Sequence, residues 1–294
     1  RCGKLVVAQT AADLPALDEL LARGRVNGVP LDPVSADEAK RIEPRARTFE
    51  RALYSPTTSS VDPMRVAQAM EQDARAEGVT IHHGVRYLGR RQEQVWTSTG
   101  AFQAGYVVNA AGLYADHIAR DFGFGRKYRI LPFKGLYLYS DEAPGSIRTH
   151  IYPVPDLRNP FLGVHFTRRI DGGVWAGPNA VPVLGRRLLS KEMRRLMRRH
   201  WRTGVGELWR AASRRAALQD MRRYLPDLEL DDLRPGPSGI RAQVVDREGR
   251  LVDDFVFEQA PGVLHVVNAP SPAATASLAI ARHVVDQVTA PVAA

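Results

Sequence analysis

The stretch that constrains the fold most runs from Tyr106 to Gly112 and reads Tyr-Val-Val-Asn-Ala-Ala-Gly. A short apolar run that closes on an asparagine and three small residues is typical of a buried parallel strand leading into a helix. In doubly wound sheets, ligands bind at this junction, beyond the carboxyl ends of the strands. Small residues there let a cofactor approach the backbone closely. An ordinary strand-to-helix turn looks the same, so this stretch alone leaves both interpretations open.

Length and composition indicate a globular protein. The 294 residues suffice for two domains or one large one, and 44% of them are hydrophobic and 25% charged. The one cysteine, Cys2, excludes an intramolecular disulfide and a cysteine-based metal cluster, and it favours a reducing compartment. We find no apolar run of about 18 residues and no signal segment. No metal site is expected.

The net charge of +9, from 41 basic and 32 acidic residues, could attract nucleic acid, an acidic membrane surface or an anionic substrate. The arginines are spread along the chain, which favours solvated helix faces. A basic nucleic-acid-binding protein stays as the alternative of another class. The sequence lacks the aromatic residues interleaved with basic ones, and the zinc or helix-turn-helix spacing, that such proteins use, so no nucleic-acid partner is expected.

The first part of the chain alternates helical and strand patterns. A capping box at Ser35 and Glu38 begins one helix, which ends before Pro44, and Asp62 with Pro63 begins another. The predicted elements are a strand at 4–8, a helix at 10–23, a loop at 53–60, an apolar helix stripe of Val66, Ala69, Met70 and Ala74, a strand at 79–81, and a meander of strands at 85–88, 94–99 and 101–104.

The middle of the chain predicts a mostly antiparallel sheet, with short alternating strands at 131–139, 150–155, 161–167 and 173–177. Residues 190–223 read as a basic amphipathic helical region with Met193, Leu196, Met197 and Trp201 on one face. Such a helix can rest on a membrane, although a stripe that faces the core is the commoner explanation. The end of the chain predicts a buried strand at 263–267 and a helix with Leu278, Ala281, Val285 and Val288 inward.

Several segments together resemble one family. They are 2–8 (Cys-Gly-Lys-Leu-Val-Val-Ala), 132–135 (Pro-Phe-Lys-Gly), 150–156, 161–167 (Phe-Leu-Gly-Val-His-Phe-Thr), 177–181 (Gly-Pro-Asn-Ala-Val), 238–243 (Ser-Gly-Ile-Arg-Ala-Gln) and 268–275 (Asn-Ala-Pro-Ser-Pro-Ala-Ala-Thr). The chain resembles FAD-dependent oxidoreductases of the D-amino-acid-oxidase superfamily, and among them the L-2-hydroxyglutarate oxidase or dehydrogenase family. The segments cover nearly the whole chain in the family's order.

The resemblance implies an α/β fold (α+β mixed): an incomplete Rossmann-like FAD-binding domain at 61–125 and 233–294, and an antiparallel-sheet substrate domain at 1–60 and 126–232. One departure is that the family's Gly-x-Gly-x-x-Gly turn, which holds the FAD pyrophosphate, is not found. The first residues, from Arg1, already resemble the middle of a domain. We therefore expect a fragment of a flavoenzyme without the first βαβ unit, and its own activity is uncertain.

By resemblance the reaction is the oxidation of L-2-hydroxyglutarate to 2-oxoglutarate, so the enzyme acts on a CH-OH group of a dicarboxylate. FAD is the cofactor, and oxygen or the quinone pool is the electron acceptor. The expected location is the cytoplasm, with peripheral contact with the inner membrane as an option. The alternatives are a related flavin oxidoreductase of another 2-hydroxy acid, an amino acid or glycerol phosphate, and a truncation product without function.

The resemblance also places cofactor-binding residues at two small-residue turns and one strand. The helix start near residue 272 suits the negative charge of reduced flavin, because free amides and the helix dipole favour anions; a plain capped helix would have the same sequence. The predicted set is Tyr87, Ala110, Ala111, Gly112, Ser271, Ala273, Ala274 and Thr275.

A dicarboxylate substrate requires cationic and hydrogen-bonding groups. Arg241 ranks first, because its planar guanidinium matches a carboxylate; Lys134, beside Gly135, ranks second. His165 is the candidate base, although a structural histidine on a strand is equally compatible with the sequence. These three form the catalytic set. Tyr152 and Asn179 join Arg241 as candidate substrate ligands.

Overall fold

The computed structural model describes residues 1–155, 164–183, 185, 189–201, 204–206, 209, 213–270 and 273–289, with the side chains of 178–180 excepted. The chain forms two compact units. Unit 1 comprises the described parts of Arg1–Val79, Lys134–Val181 and Arg202–Gly239, and unit 2 those of Thr80–Phe133, Pro182–Trp201 and Ile240–Ala294.

The elements are numbered in chain order. The strands are β1 (Lys4–Val7), β2 (Asp32–Ser35), β3 (Arg51–Ser55), β4 (Tyr87–Arg91), β5 (Gln94–Thr97), β6 (Gly100–Gln103), β7 (Val107–Asn109), β8 (Tyr128–Ser140), β9 (His150–Pro153), β10 (His165–Arg168), β11 (Val174–Pro182), β12 (Leu233–Asp246), β13 (Val256–Ala260) and β14 (Val263–Asn268). The helices are α1 (Leu14–Val26), α2 (Ala36–Ile42), α3 (Pro63–Ala76), α4 (Ala115–Asp121), α5 (Lys191–Arg199), α6 (Arg214–Met221) and α7 (Ser277–Thr289).

Unit 1 contains most of an eight-stranded sheet, in the order β12-β8-β11-β10-β9-β1-β3-β2. Strand β1 pairs antiparallel with β3, as do β2 with β3, β9 with β10 and β10 with β11, whereas β1 pairs parallel with β9, so the predicted mostly antiparallel sheet is confirmed. The core on one side of this sheet contains Leu5, Ile151 and Phe166, each at most 1% exposed. Because side chains alternate across a strand, the opposite face carries the neighbours of these residues in sequence.

Helix boundaries in unit 1 follow the predicted caps. Ser35 accepts a hydrogen bond from the Glu38 N–H, and the Glu38 carboxylate accepts one from the Ser35 N–H, so the capping box is confirmed. The Asp62 carboxylate caps α3 through the Met64 and Arg65 amides. The predicted apolar stripe of α3 is not buried, since no residue of this helix is buried in the part of the chain that the structure describes.

Unit 2 contains two three-stranded sheets. In the first, with the order β13-β14-β7, β14 pairs parallel with β7 and antiparallel with β13. All six residues of β14 are buried, as the apolar run predicts. The second sheet, β4-β5-β6, is the predicted antiparallel meander.

Three expectations about local structure are wrong. Residues 53–55 belong to β3 instead of a loop, because this strand pairs with β1 on one side and β2 on the other. Residues 79–81 form no strand in the structure as described. In α5, Met193 and Leu196 are buried, but Met197 and Trp201 are exposed, so the four do not share one inward face.

The inward face of α7 also differs from the prediction. Leu278, Ala281 and Val285 are exposed, whereas Val284 is buried and Ile280 and Val288 pack with it against β14. Residues four apart share a helix face, so the sequence periodicity allowed either phase. The contact with β14 selects the phase of Ile280, Val284 and Val288; of the predicted residues, only Val288 faces inward.

Candidate active site

Two small-residue turns of unit 2 leave the same edge of one sheet. The strand β7 pairs parallel with β14, with Val107 opposite Val263 and Asn109 opposite His265. Parallel neighbours end at the same edge, so both following segments leave this edge, although β14 continues three residues beyond His265, to Asn268, before its segment begins. In open α/β sheets this carboxyl edge is where ligands bind.

Asn109 fixes the turn that follows β7. It is 4% exposed; its Nδ2 donates to the Ala115 carbonyl at 2.9 Å and to His265 Nδ1 at 3.0 Å. Its Oδ1 accepts a hydrogen bond from the Ala111 N–H at 3.2 Å. The side chain therefore ties both ends of the turn and the neighbouring strand together. Gly112 then takes a positive φ of 52°, which glycine adopts without the steric cost of a Cβ.

His265 is the buried partner of Asn109. Its ring is fully buried, between Phe122 and Phe124 at centroid distances of 5.1 Å each. Burial lowers the pKa of His265 below its ordinary value, so the imidazole is neutral at neutral pH. Because Nδ1 accepts from Asn109, the proton lies on Nε2, which has no hydrogen-bond partner among the described residues.

A cavity of about 410 Å³ lies beside this edge, within the usual size range of small-molecule sites. It brings together the predicted substrate ligand Arg241 and the predicted cofactor residues Ala273, Ala274 and Thr275. The full lining is Arg241, Ala242, Gln243, Val252, Asp253, Asn268, Ala269, Pro270, Ala273, Ala274 and Thr275.

The charge of the cavity comes from Arg241 and Asp253. Burial lowers the pKa of Arg241, and the Asp253 carboxylate acts in the opposite direction. An arginine stays protonated even so, and the cavity therefore holds a partly desolvated guanidinium. Such a group binds carboxylates more strongly than an exposed one, because water competes less.

Three polar cavity residues were missed by the sequence reasoning, namely Gln243, Asp253 and Asn268. Asn268 Nδ2 donates to the carbonyls of Val252 at 3.0 Å and Asp254 at 2.7 Å, and so holds the segment that carries Asp253. A usable pattern was present: Asn268 closes a buried strand and precedes small residues, as Asn109 does.

The described predicted cofactor residues Tyr87, Ala110, Ala111 and Gly112 lie in unit 2 but not in the lining given for the cavity. Tyr87, on β4, donates its hydroxyl hydrogen to Asp121 Oδ2 at 3.0 Å, and burial together with this carboxylate raises its pKa. Ala110 and Gly112 are exposed at the turn after β7. Ser271 lies outside the described residues.

The remaining predicted site residues lie in unit 1, on neighbouring strands. Tyr152 of β9 and His165 of β10 pack with ring centroids 4.3 Å apart, and His165 is 9% exposed. Lys134 is half-buried on β8. Asn179 lies on β11, and its side chain is outside the described part of the chain. Their roles stay predictions.

Fold and site together define a flavin-type oxidoreductase, and comparison with known proteins agrees. The model of the family "FAD dependent oxidoreductase" matches residues 1–287. The mitochondrial L-2-hydroxyglutarate dehydrogenase of Nematostella vectensis is 40% identical and is matched over 98% of this chain and 72% of its own length. The human mitochondrial L-2-hydroxyglutarate dehydrogenase is 36% identical over 98% of this chain and 70% of its own length. The L-2-hydroxyglutarate dehydrogenase of Escherichia coli is 34% identical over 98% of this chain and 73% of its own length.

Among solved structures, dithionite-reduced L-alpha-glycerophosphate oxidase from Mycoplasma pneumoniae with FAD bound matches with a TM-score of 0.75 at 18% identity, over 99% of this chain and 73% of that one. The chain belongs to the FAD-dependent oxidoreductase family, and its cofactor is FAD. The described residues fit that group. Two segments that contain small residues leave one sheet edge, and a Cβ added at Gly112 would find no protein atom within 4 Å.

Two other structural features are absent from the described residues. No helix is both long enough and apolar enough to cross a membrane. No group of three or more histidine, cysteine, aspartate or glutamate side chains is arranged to hold a metal ion.

Proposed function

We propose that this protein oxidises L-2-hydroxyglutarate to 2-oxoglutarate with FAD. The observation that carries this proposal is the extent of the relationship: relatives named L-2-hydroxyglutarate dehydrogenase match 98% of the chain at 34–40% identity. The partly buried guanidinium of Arg241 supports it independently, because a 2-hydroxy acid presents a carboxylate beside the carbon that is oxidised.

Arg241 binds a substrate carboxylate in this proposal. Its fork of N–H groups can form two parallel hydrogen bonds to one carboxylate, which fixes the orientation of the neighbouring C2 carbon. Asp253 lines the same cavity, and its carboxylate opposes the effect of burial on the Arg241 pKa. It thereby stabilises the charged guanidinium before the substrate binds.

The small-residue turns hold the cofactor in this proposal. The backbone of Ala110, Ala111 and Gly112 would hold the flavin nucleotide, and the predicted residues Ser271, Ala273, Ala274 and Thr275 would supply amides for the flavin ring. FAD would supply the hydride acceptor for this oxidation. His165 takes the hydroxyl proton, and Tyr152, Asn179 and Lys134 bind substrate oxygens. Tyr87 contacts the adenine half. On this assignment unit 2 is the cofactor domain and unit 1 the substrate domain.

The test is an anaerobic titration of the purified, FAD-loaded protein with L-2-hydroxyglutarate. We expect bleaching of the oxidised flavin spectrum and formation of one equivalent of 2-oxoglutarate. Bleaching by an amino acid or by glycerol phosphate, with no response to L-2-hydroxyglutarate, would move the protein to a sister family.

The electron acceptor and the location form a second part of the proposal. Trp201 is 59% and Leu189 78% exposed, and α5 places four exposed arginines, Arg194, Arg195, Arg198 and Arg199, near them in unit 2. Apolar side chains among cations favour the surface of an anionic bilayer. We therefore favour a cytoplasmic protein that binds the inner membrane peripherally and passes electrons to quinone; oxygen is the alternative. Co-sedimentation with lipid vesicles tests this contact. We expect the protein to sediment with anionic vesicles but not with neutral ones, and the variant Trp201→Ser to bind the anionic vesicles more weakly.

A further inference from the structure

One face of the sheet in unit 1 carries a row of polar side chains on three adjacent strands. The pairing of β1 with β9 sets Lys4 opposite His150, and that of β9 with β10 sets Phe166 opposite Ile151. The alternation of side chains then places Lys4, Tyr152, His165 and Thr167 on the face opposite the core residues Leu5, Ile151 and Phe166. Lys4, Tyr152 and Thr167 on this face are half-buried. Half-buried sheet positions are more often apolar, and polar side chains are more often exposed to solvent.

Lys4 is a half-buried cation on this face. Its Nζ lies 5.4 Å from the centre of the Tyr152 ring, and burial lowers its pKa. Within the described residues, no carboxylate lies within salt-bridge distance of Lys4 Nζ. A buried ammonium without a counter-charge is costly, and a ring face offsets only part of that cost.

The surroundings of Lys4 are also positive. His150, opposite Lys4 in the strand register, is 4% exposed, and burial, followed by the charges of Lys4 and Arg168, lowers its pKa to about 4. His150 is therefore neutral at neutral pH, and its Nδ1 accepts the Arg168 N–H at 3.0 Å. The local field favours the arrival of an anion.

Two hydroxyl groups lie on the same face. Tyr152 Oη and Thr167 Oγ1 are hydrogen-bonded at 3.4 Å, so when one hydroxyl donates to the other, the second keeps its hydrogen for a third oxygen. An ammonium and two hydroxyls match the oxygens of one carboxylate, which accepts hydrogen bonds and carries the missing negative charge.

We propose that Lys4, with Tyr152 and Thr167, binds one carboxylate of the substrate and thereby selects a dicarboxylate over a monocarboxylate. This inference rests on the proposed function and deepens it, because it assigns residues of unit 1 that recognise one carboxylate of the dicarboxylate substrate. Neither Lys4 nor Thr167 was singled out in the sequence, because a lysine or threonine on a strand is commonly a solvated residue.

The experiment compares the wild type with Lys4→Met, Lys4→Arg and the control Lys40→Met, which removes an exposed lysine of α2. Methionine keeps the apolar stem over Tyr152 but removes the charge. Binding of glutarate, a dicarboxylate that cannot be oxidised at C2, is measured by calorimetry, and turnover is measured with L-2-hydroxyglutarate and L-2-hydroxybutyrate.

We expect Lys4→Met to weaken glutarate binding and raise the KM for L-2-hydroxyglutarate by about 10- to 100-fold, the usual loss of a charge-assisted hydrogen bond. The kcat and the constants for L-2-hydroxybutyrate change little, because that substrate lacks the second carboxylate. Lys4→Arg retains most of the affinity, and Lys40→Met behaves as the wild type.

The inference is overturned if wild-type protein does not bind glutarate, if Lys4→Met binds it as tightly as Lys40→Met, or if both substrates lose affinity equally. Should Lys4→Met fail to fold, Thr167→Val removes only one hydroxyl and is expected to weaken glutarate binding about threefold to tenfold; unchanged binding would overturn the inference. If glutarate binding depends on Lys4 but L-2-hydroxyglutarate is not oxidised, the carboxylate site stands and the proposed function fails.

Discussion

The carboxyl edge of the β7–β14 sheet in unit 2 and the polar sheet face in unit 1 are built in different ways. At the edge, small residues and backbone groups are exposed. Buried side chains such as Asn109 fix the conformation of the turn through hydrogen bonds to its backbone. On the face, the side chains of Lys4, Tyr152 and Thr167 are themselves the binding groups in our proposal. The first arrangement suits a large invariant cofactor, and the second suits a small ligand whose charges must be matched.

The difference also explains the two buried histidines. His265 accepts a hydrogen bond from Asn109 and supports the turn from inside unit 2. His150 lies beside cations in unit 1 and is held neutral by burial and by their charge. His265 therefore has a structural role, whereas the lowered pKa of His150 reflects burial and the positive charges around the proposed carboxylate site. Four substitutions test this distinction.

The largest effect is expected from Arg241→Met. Removing the guanidinium from the cavity eliminates its charge-assisted hydrogen bonds to the substrate carboxylate, so kcat/KM for L-2-hydroxyglutarate falls by at least about 100-fold, or roughly 3 kcal/mol. Steady-state kinetics measure this. The control Arg282→Met, at an exposed position of α7, should keep the wild-type value. Equal losses in both variants would remove Arg241 from the site.

The next effect concerns the scaffold. Asn109→Leu removes three hydrogen bonds and leaves His265 Nδ1 without its donor, so the free energy of unfolding falls by about 2–3 kcal/mol and FAD dissociates faster. Urea denaturation and the rate of flavin release measure the two consequences. Asn27→Leu, which removes one exposed hydrogen bond to the Arg23 carbonyl, costs less than about 1 kcal/mol. A stable Asn109→Leu variant with wild-type FAD retention would refute the scaffold role.

The pH dependence of stability tests the state of His150. Its pKa is about 4 in the folded protein and roughly 6.5 when unfolded, so the unfolded state binds a proton first as the pH falls. Its stabilising contribution is present above pH ~6.5 and is lost toward pH ~4, with about 2 kcal/mol lost between pH 7 and 5. The replacement His150→Gln should flatten this part of the stability curve, and His83→Gln, at an exposed site, should not. Parallel curves for wild type and His150→Gln would contradict the assignment.

The smallest effect is expected from Gly112→Ala. The positive φ of Gly112 costs an alanine about 1 kcal/mol of stability, while no protein atom would contact the new Cβ. A loss of FAD affinity beyond this strain would indicate that the cofactor approaches the turn. Gly239→Ala, at an exposed position with ordinary φ, serves as the control. Unchanged FAD affinity in Gly112→Ala would remove this turn from the cofactor site.

The strands β7 and β14 and the turn after β7 were largely predictable from the sequence, because a buried strand that closes on small residues is a continuous pattern. The capping box at Ser35 and the meander were predictable for the same reason: each depends on residues close together in the chain. The phase of α7 was not, since residues 280 and 281 fit the helical periodicity equally and only packing on β14 separates them.

The polar face of unit 1 could not be assembled from the sequence. Lys4, Tyr152 and Thr167 lie on three strands whose neighbours are set by long-range pairing, and the parallel contact of β1 with β9 joins residues almost 150 positions apart. Asp253 was missed for a related reason. From the sequence, an acidic residue in a polar turn is expected to be solvated. Only the structure shows that Asn268 holds this turn and that Asp253 lines the same cavity as Arg241.

The most direct test of the central claim is hydrogen exchange, measured by mass spectrometry with and without FAD. If the two turns at the β7–β14 edge hold the cofactor, amides in peptides covering 110–114 and 273–277 should exchange more slowly when FAD is bound, while peptides of the β4–β6 meander beyond Tyr87 change little. Protection confined to other parts of the chain, with both turns unchanged, would contradict the account.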